Sequence, residues 1–296
     1  MSGRNDLARE AARMATKFRQ RLQIDRVAPV CACDVAEKLG VQVQLMSLPS
    51  AEGVYCRDRG PAIIISTERP PGRQNFTCAH ELGHHVFGHG TRSDEYLEDR
   101  HERSHFDPEE FLADVFAGHF LMSAAAVREA FGRRGVGIES AESTEVFAVA
   151  GWLGVGYTTL IDHLQIGLEM ITARHAATLR RSSPKAIRDF FLGANDIQQL
   201  VIAGSEWLRR PIDLRVGDGV LLPQGSLIEG DKLALHCLQG KHVLAVASRS
   251  GLARIEHPET NWSCFVRVMK RDYEGLGRFR FEEEDTDEHS VTCDNC

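Results

Sequence analysis

His80 and His84 stand four residues apart, with Glu81 directly after the first, in the run His80-Glu81-Leu82-Gly83-His84. On a helix this spacing puts both imidazoles on one face, about one turn apart, so both can approach one divalent cation at ~2.0–2.1 Å. The donor type favours zinc, with manganese as the alternative metal. Glu81, beside a ligand but not itself on the ligand face, can reach a water at the metal. That position suits a general base. The chemistry implied is metal-assisted hydrolysis.

A hydrolytic zinc requires a third protein ligand and one open position. His85 points about 100° round the helix and should miss the metal. His89 falls near or past the helix end. The positions three and six beyond His84 hold Phe87 and Gly90, so a third ligand by a Gly-then-His extension is absent. Glu110 remains, in Glu110-Phe111-Leu112-Ala113-Asp114-Val115-Phe116-Ala117, near the start of an apolar helix suited to packing on the first. Glu109 is its nearest rival, but faces differently from Asp114. Asp114 lies one turn beyond Glu110, where its carboxylate could bond the outer N–H of a metal-bound histidine and fix the tautomer.

These residues need two long helices and something to hold them. The pattern predicts the motif helix from about Arg73 to Phe87, ended by Gly88 and Gly90. It predicts the second from Glu109 to Met122, with Pro108 suited to a first-turn position. Upstream, Leu7, Ala11, Met14, Phe18 and Leu22 make the apolar face of an opening helix. A short helix from Val35 to Leu39 ends at Gly40. Val41 to Leu45 alternates as a strand, and Gly53–Cys56 and Ala62–Ile65 form a hairpin about the turn Arg57-Asp58-Arg59-Gly60-Pro61. The strand at Ile63-Ile64-Ile65 reads either as a buried core strand or as an edge onto which substrate could pair.

Four segments follow from the chain's punctuation. Residues 1–140 carry the motif. Residues 141–205 read as helical, with Val146–Val155, the turn at Gly156-Tyr157 and Thr158–Leu164 in helix-turn-helix order, followed by a basic stretch containing Arg174, Arg180, Arg181, Lys185 and Arg188. Residues 206–281 read as a β-rich domain with strands at Val220–Leu222, Lys232–Cys237, His242–Ala247 and Cys264–Val268. Residues 282–296 form an acidic tail, expected to be disordered, that includes His289, Cys293 and Cys296.

With 296 residues the chain can bury several cores. A net charge of −7 argues against a surface built wholly for nucleic acid. The N-terminus lacks a secretory apolar region, no run is expected to span a bilayer, and the eight cysteines are scattered. The expectation is a cytoplasmic protein with reduced thiols and no membrane partner.

The stretch Asn75-Phe76-Thr77-Cys78-Ala79-His80-Glu81-Leu82-Gly83-His84-His85, then Glu110 to Ala117, then Phe120-Leu121-Met122, resembles the ImmA/IrrE family of bacterial metallopeptidases. That family shows an aromatic-Thr-x-Ala-His-Glu-x-x-His run, then Glu-x-x-Ala-Asn-x-Phe-Ala, ending in Leu-Leu-Met-Pro. The likeness covers roughly residues 30–125, and more weakly the helices to about 190. It implies an α+β, zincin-like fold with a small sheet and helices, His80, His84 and Glu110 as zinc ligands, and Glu81 as base. It also implies a substrate, a helix-turn-helix transcriptional repressor, whose cleavage releases genes in stress response, mobile elements or phage. Two positions depart from the pattern: Asp114 replaces the usual Asn and Ser123 the usual Pro.

Three functional readings stand. The first is a zinc endopeptidase acting on that repressor. The second is a DNA-binding regulator using the helix-turn-helix-like segment, with a structural or vestigial metal site; docking or packing is favoured there over nucleic acid. The third is a sensor whose β-rich domain gates the peptidase. His105, His119 and Tyr96 are candidates to assist at the developing oxyanion. The oligomeric state, the signal and the cleavage site are not encoded in any motif.

Overall fold

The structure is a computed structural model that describes residues 2–58, 60–95, 106–193, 197–208, 210–239 and 242–282. The chain opens with helix α1, Ser2–Arg21. Its face of Ala11, Ala15 and Phe18 is buried, as the three-and-four spacing requires. After α2, Ala32–Lys38, come β1, Gln42–Met46, β2, Ala51–Cys56, and β3, Ala62–Ser66. Helix α3, Pro71–Phe87, carries the histidine motif, and β4, Arg92–Glu95, follows it. Helix α4, Pro108–Leu121, and α5, Ala124–Gly132, complete the first part.

These strands form a mixed sheet. β1 pairs parallel with β3, β3 antiparallel with β2, and β2 antiparallel with β4. β3 therefore lies inside the sheet, with Ile63 and Ile65 fully buried. The reading of Ile63-Ile64-Ile65 as an edge open to substrate is corrected: both its sides are already hydrogen-bonded. Among the described residues β4 is the strand that ends the sheet on the β2 side.

α1 is locked onto α4 at two levels. Phe18 packs against Phe116 and Phe120, with ring centroids 5.7 and 5.6 Å apart. The buried guanidinium of Arg19 donates to the carbonyls of Phe120, Asp25 and Ala28, each at 2.7 Å. A cation there satisfies the orphan carbonyl of Phe120 at the C-terminal end of α4 and ties it to two carbonyls of the loop after α1. Arg19→Met is expected to lower unfolding stability by about 1–3 kcal/mol, read as an earlier urea midpoint, because the buried Phe120 carbonyl and two part-buried loop carbonyls lose their donor. An unchanged midpoint would show that water replaces the guanidinium.

The middle of the chain is helical: α6, Ser143–Leu153, α7, Tyr157–Asp162, α8, Ala173–Leu179, and α9, Pro184–Leu192. A π-turn at His163–Gly167 extends α7. α6 and the extended α7 meet at 101°, within the range of a helix-turn-helix pair. The helical reading of residues 141–205 runs too far, since Leu200–Ile202 is strand β5.

The remaining strands are β6, Ile212–Arg215, β7, Gly219–Pro223, β8, Leu227–Glu229, β9, Leu233–Gln239, β10, His242–Ala247, β11, Gly251–His257, β12, Trp262–Met269, and β13, Gly275–Leu276. Seven of these eight strands, with β5, make two four-stranded sheets, ordered β5-β7-β10-β9 and β6-β12-β11-β8. Strand β13 instead returns to the first sheet and pairs antiparallel with β1, Gln44 opposite Leu276. Just after it, Arg280 donates to Asp34 Oδ1 at 2.6 Å and to Cys31 Sγ at 3.3 Å. The end of the described chain is thus anchored on α2 and β1.

The stretch Pro108–Gly132 has the length and hydropathy of a membrane span, yet half of it is buried within the fold. Cys31, Cys33, Cys56, Cys78 and Cys264 are free thiols. The acidic tail from residue 283 onward, with His289, Cys293 and Cys296, lies outside the described residues.

Candidate metal centre

Two helices and one strand build the site. α3 starts at Pro71, whose missing N–H costs nothing at that position, and stops at Gly88 in the left-handed region, φ 73°. α4 starts from Asp107, whose side chain accepts from the backbone N–H of Glu109 at 2.9 Å and of Glu110 at 3.4 Å. The cap thereby fixes the turn that carries Glu110.

The helices cross closely because Gly83 has no side chain. A Cβ there would lie 3.1 Å from Ala113 Cα and 3.2 Å from Phe116 Cδ1. The close crossing sets Glu110 and Asp114 over the histidine face. Gly83→Val should force the helices apart, at about 1–3 kcal/mol of overpacking, and weaken zinc retention against a competing chelator. If the variant holds zinc as tightly as the parent, the crossing does not set the position of Glu110.

His80 Nε2 and His84 Nε2 face each other at 3.0 Å. Glu110 Oε2 is 3.4 Å from His80 Nε2, and its Oε1 is 3.5 Å from His84 Nε2. His80, His84 and Glu110 form the group of donors able to hold a metal ion among the described residues. Ligands held at ~2.0–2.1 Å in a tetrahedron lie ~3.3 Å apart, so these separations fit one zinc-sized cation. The donor set, two imidazoles and a carboxylate, fits it chemically as well.

The outer nitrogens are also held. His80 Nδ1 lies 2.9 Å from Asp114 Oδ1. With Nδ1–H donating a hydrogen bond to Asp114, the Nε2 lone pair is directed at Glu110 and His84. His84 Nδ1 lies 2.8 Å from His89 Nδ1. With His84 donating and His89 accepting, the His84 Nε2 lone pair also points inward. His89 is buried, and its ring stacks on Phe87 at 5.6 Å between centroids. Burial disfavours a charged His80, but the carboxylates of Asp114, Glu110 and Glu81 outweigh it and raise its pKa to about 10. The negative charge responsible is the charge a divalent cation would neutralise. Asp114→Ala is expected to weaken metal affinity by ~10–100-fold, measured by chelator competition. Parity with the parent would remove Asp114 from any orienting role.

Glu81 is fully buried on the same helix. It lies against β2 at Gly53, where a Cβ would meet Glu81 Oε1 at 2.9 Å and Thr77 Cγ2 at 2.5 Å. The strand thus forms one wall of the carboxylate's pocket, and only glycine leaves room for it.

The remaining sequence candidates fall elsewhere. His85 turns away, its Nδ1 2.9 Å from the hydroxyl of Tyr55. Glu109 is not among the converging donors. His119 packs on His163, 4.9 Å between ring centroids, well along α4 from Glu110, so it is not placed to serve an oxyanion at the centre. Tyr96 and His105 lie outside the described residues. Ser123 stands where the resembled family has proline. With φ −58° it caps α5, accepting from Ala126 N–H at 3.2 Å, and its hydroxyl donates to the Arg26 carbonyl. A cap replaces a ring at the same backbone angle. Sequence reasoning missed the His84–His89 pair; the signal was Gly88, whose left-handed turn sends the chain back along the helix it has just ended.

The comparison with known families falls on this part of the chain, since residues 36–163 match the Peptidase_M78 family model, described as the IrrE N-terminal-like domain. This stretch is similar to that domain. The match contains every residue of the centre, from His80 to Asp114, and continues through α7. It agrees with the ImmA/IrrE resemblance carried by the motif, and it places the domain among metallopeptidases in general. No curated protein matches the chain. β5 to β13 lie beyond the IrrE-like match, although β13 completes the sheet of that domain.

Proposed function

We propose that the protein is a zinc-dependent endopeptidase of the cytoplasm that cleaves a helix-turn-helix transcriptional repressor. The observation that carries the reading is a buried carboxylate, Glu81, set beside three inward-facing donors whose separations suit zinc. A purely structural metal site has no use for such a base.

In this reading His80, His84 and Glu110 hold the ion, and Asp114 and His89 keep both imidazoles in the ligating tautomer. When bound, zinc supplies a Lewis acid that acidifies water and polarises a carbonyl oxygen. Glu81 accepts the proton of the attacking water as oxygen adds to the scissile carbonyl carbon. It then delivers that proton to the leaving amide nitrogen as the C–N bond breaks. Gly53 leaves the space beside the Glu81 carboxylate that any side chain there would fill.

The pair α6–α7 is assigned to packing or substrate docking, not to reading DNA. What supports this is its surface: the exposed positions of α7 are Thr158 and Asp162, and Asp162 engages Arg180 at 2.5 Å. An acid there would repel phosphates.

The test is to incubate the zinc-loaded protein with the repressor encoded beside its own gene and to map fragments by mass spectrometry. One discrete cut, abolished by a chelator and restored by zinc, is expected. An intact repressor at stoichiometric enzyme, with zinc content verified, would overturn the substrate assignment.

A further inference from the structure

Away from the metal centre, a cavity of about 620 Å³ lies where the start of α3, the α6–α7 turn, α9 and β5–β6 come together. Its size falls in the range of small-molecule sites. Its lining is unusually cationic for an interior surface. Six arginines border it, at positions 69, 73, 188, 210, 215 and 280, against three acids, Glu52, Asp213 and Asp218.

The acids are committed. Glu52 pairs with Arg73 at 2.7 Å and with Arg69 at 3.8 Å. Asp213 is held by both ends of Arg267, at 2.6 and 2.7 Å. Asp218 accepts from the Arg215 backbone N–H at 2.8 Å, and burial raises its pKa to about 6. Arg280 is paired outside the cavity with Asp34. Arg215 is held by neutral acceptors, Gln74 Oε1 and the carbonyls of Arg69 and Thr67.

Arg210 and Arg188 have carboxylates in their surroundings, Asp213 and Asp189 respectively, but neither is within salt-bridge distance of one among the described residues. Arg210 lies deep in the fold, its guanidinium 4.8 Å from the Trp207 ring centroid and 5.1 Å from that of Trp152. Its hydrogen bond is to the Trp152 carbonyl. Burial lowers its pKa to about 9, a cost that the nearby Asp213 carboxylate offsets only in part. Arg188, on α9, borders the same cavity. Between the arginines the walls are flat and apolar, with Phe147, Tyr157, Trp207 and Phe281 among them. The positive end of the α3 dipole opens there too, because Pro70 to Asn75 form part of the lining.

We infer that this cavity is a binding site for an organic phosphate with a planar ring, of nucleoside monophosphate size, whose phosphate is taken by Arg210 and Arg188. The site needs neither the metal nor peptidase chemistry, so it stands or falls independently of the proposed activity. A phosphate would supply the two guanidiniums with the close anion that Asp213 and Asp189 do not provide at salt-bridge distance, and the ring would lie against the aromatic walls.

The experiment uses the full chain, titrated with AMP and separately with inorganic phosphate at constant ionic strength. Tryptophan fluorescence and thermal unfolding are the readouts; Trp152 and Trp207 flank Arg210. Expected is a saturable response to AMP with Kd below ~1 mM, a weaker one to phosphate, and a rise in the unfolding temperature. Arg188→Gln and Arg210→Gln should each weaken AMP binding by more than ~10-fold. The first lies partly at the surface, so it keeps the test valid if the second fails to fold. No saturable response to AMP overturns the inference. So does AMP binding that Arg188→Gln leaves unchanged, which would place the ligand elsewhere. Equal affinity for phosphate and AMP would overturn the organic part and leave a plain anion site.

Discussion

Glu81→Gln is expected to retain the metal and lose the reaction. The amide matches the carboxylate in shape, so it should fit in the space that Gly53 leaves beside it. No donor in the His80, His84 and Glu110 group is altered. What disappears is the group that accepts the proton of the attacking water. General-base loss of this kind costs ~10²–10⁴-fold in rate. The check pairs zinc content with cleavage of the repressor. Full zinc occupancy with kcat/KM near the parent value would show that another group removes the proton.

Glu110→Ala should act on the metal itself. Losing a group that only orients a ligand weakens affinity by ~10–100-fold; losing a ligand should exceed that. The helix is not expected to suffer, because alanine is a strong helix former and Asp107 still caps α4. Unchanged far-ultraviolet circular dichroism with sharply weaker zinc binding is the expected pair of results. If zinc affinity were kept, the third ligand would have to be sought elsewhere around the imidazole pair.

The shared faces of His80 with His84 and of Glu110 with Asp114 are legible in sequence because each depends on local periodicity. Four residues make about one helical turn, so His80 with His84, and Glu110 with Asp114, share faces before any tertiary contact is considered. The meeting of the two faces was not legible from spacing. It depends on Gly83 lying against Ala113, a contact between helices that no periodicity encodes. The His84–His89 bond required knowing that Gly88 would adopt a left-handed angle and fold His89 back. Leu200–Ile202 was taken for helix because a short apolar run fits either period. Ile63-Ile64-Ile65 was left open between edge and core because only its neighbours decide that. Asp114 and Ser123, both departures from the resembled family, became intelligible through a bond to His80 and a cap on α5.

The pairing of Gln44 with Leu276 has a further consequence for anyone trimming this chain. Removing everything after the IrrE-like match would strip β1 of its neighbour and leave a row of amide and carbonyl groups facing solvent. Such an exposed margin is a template for joining other copies side by side. The shortened IrrE-like portion is therefore expected to self-associate more than the full chain.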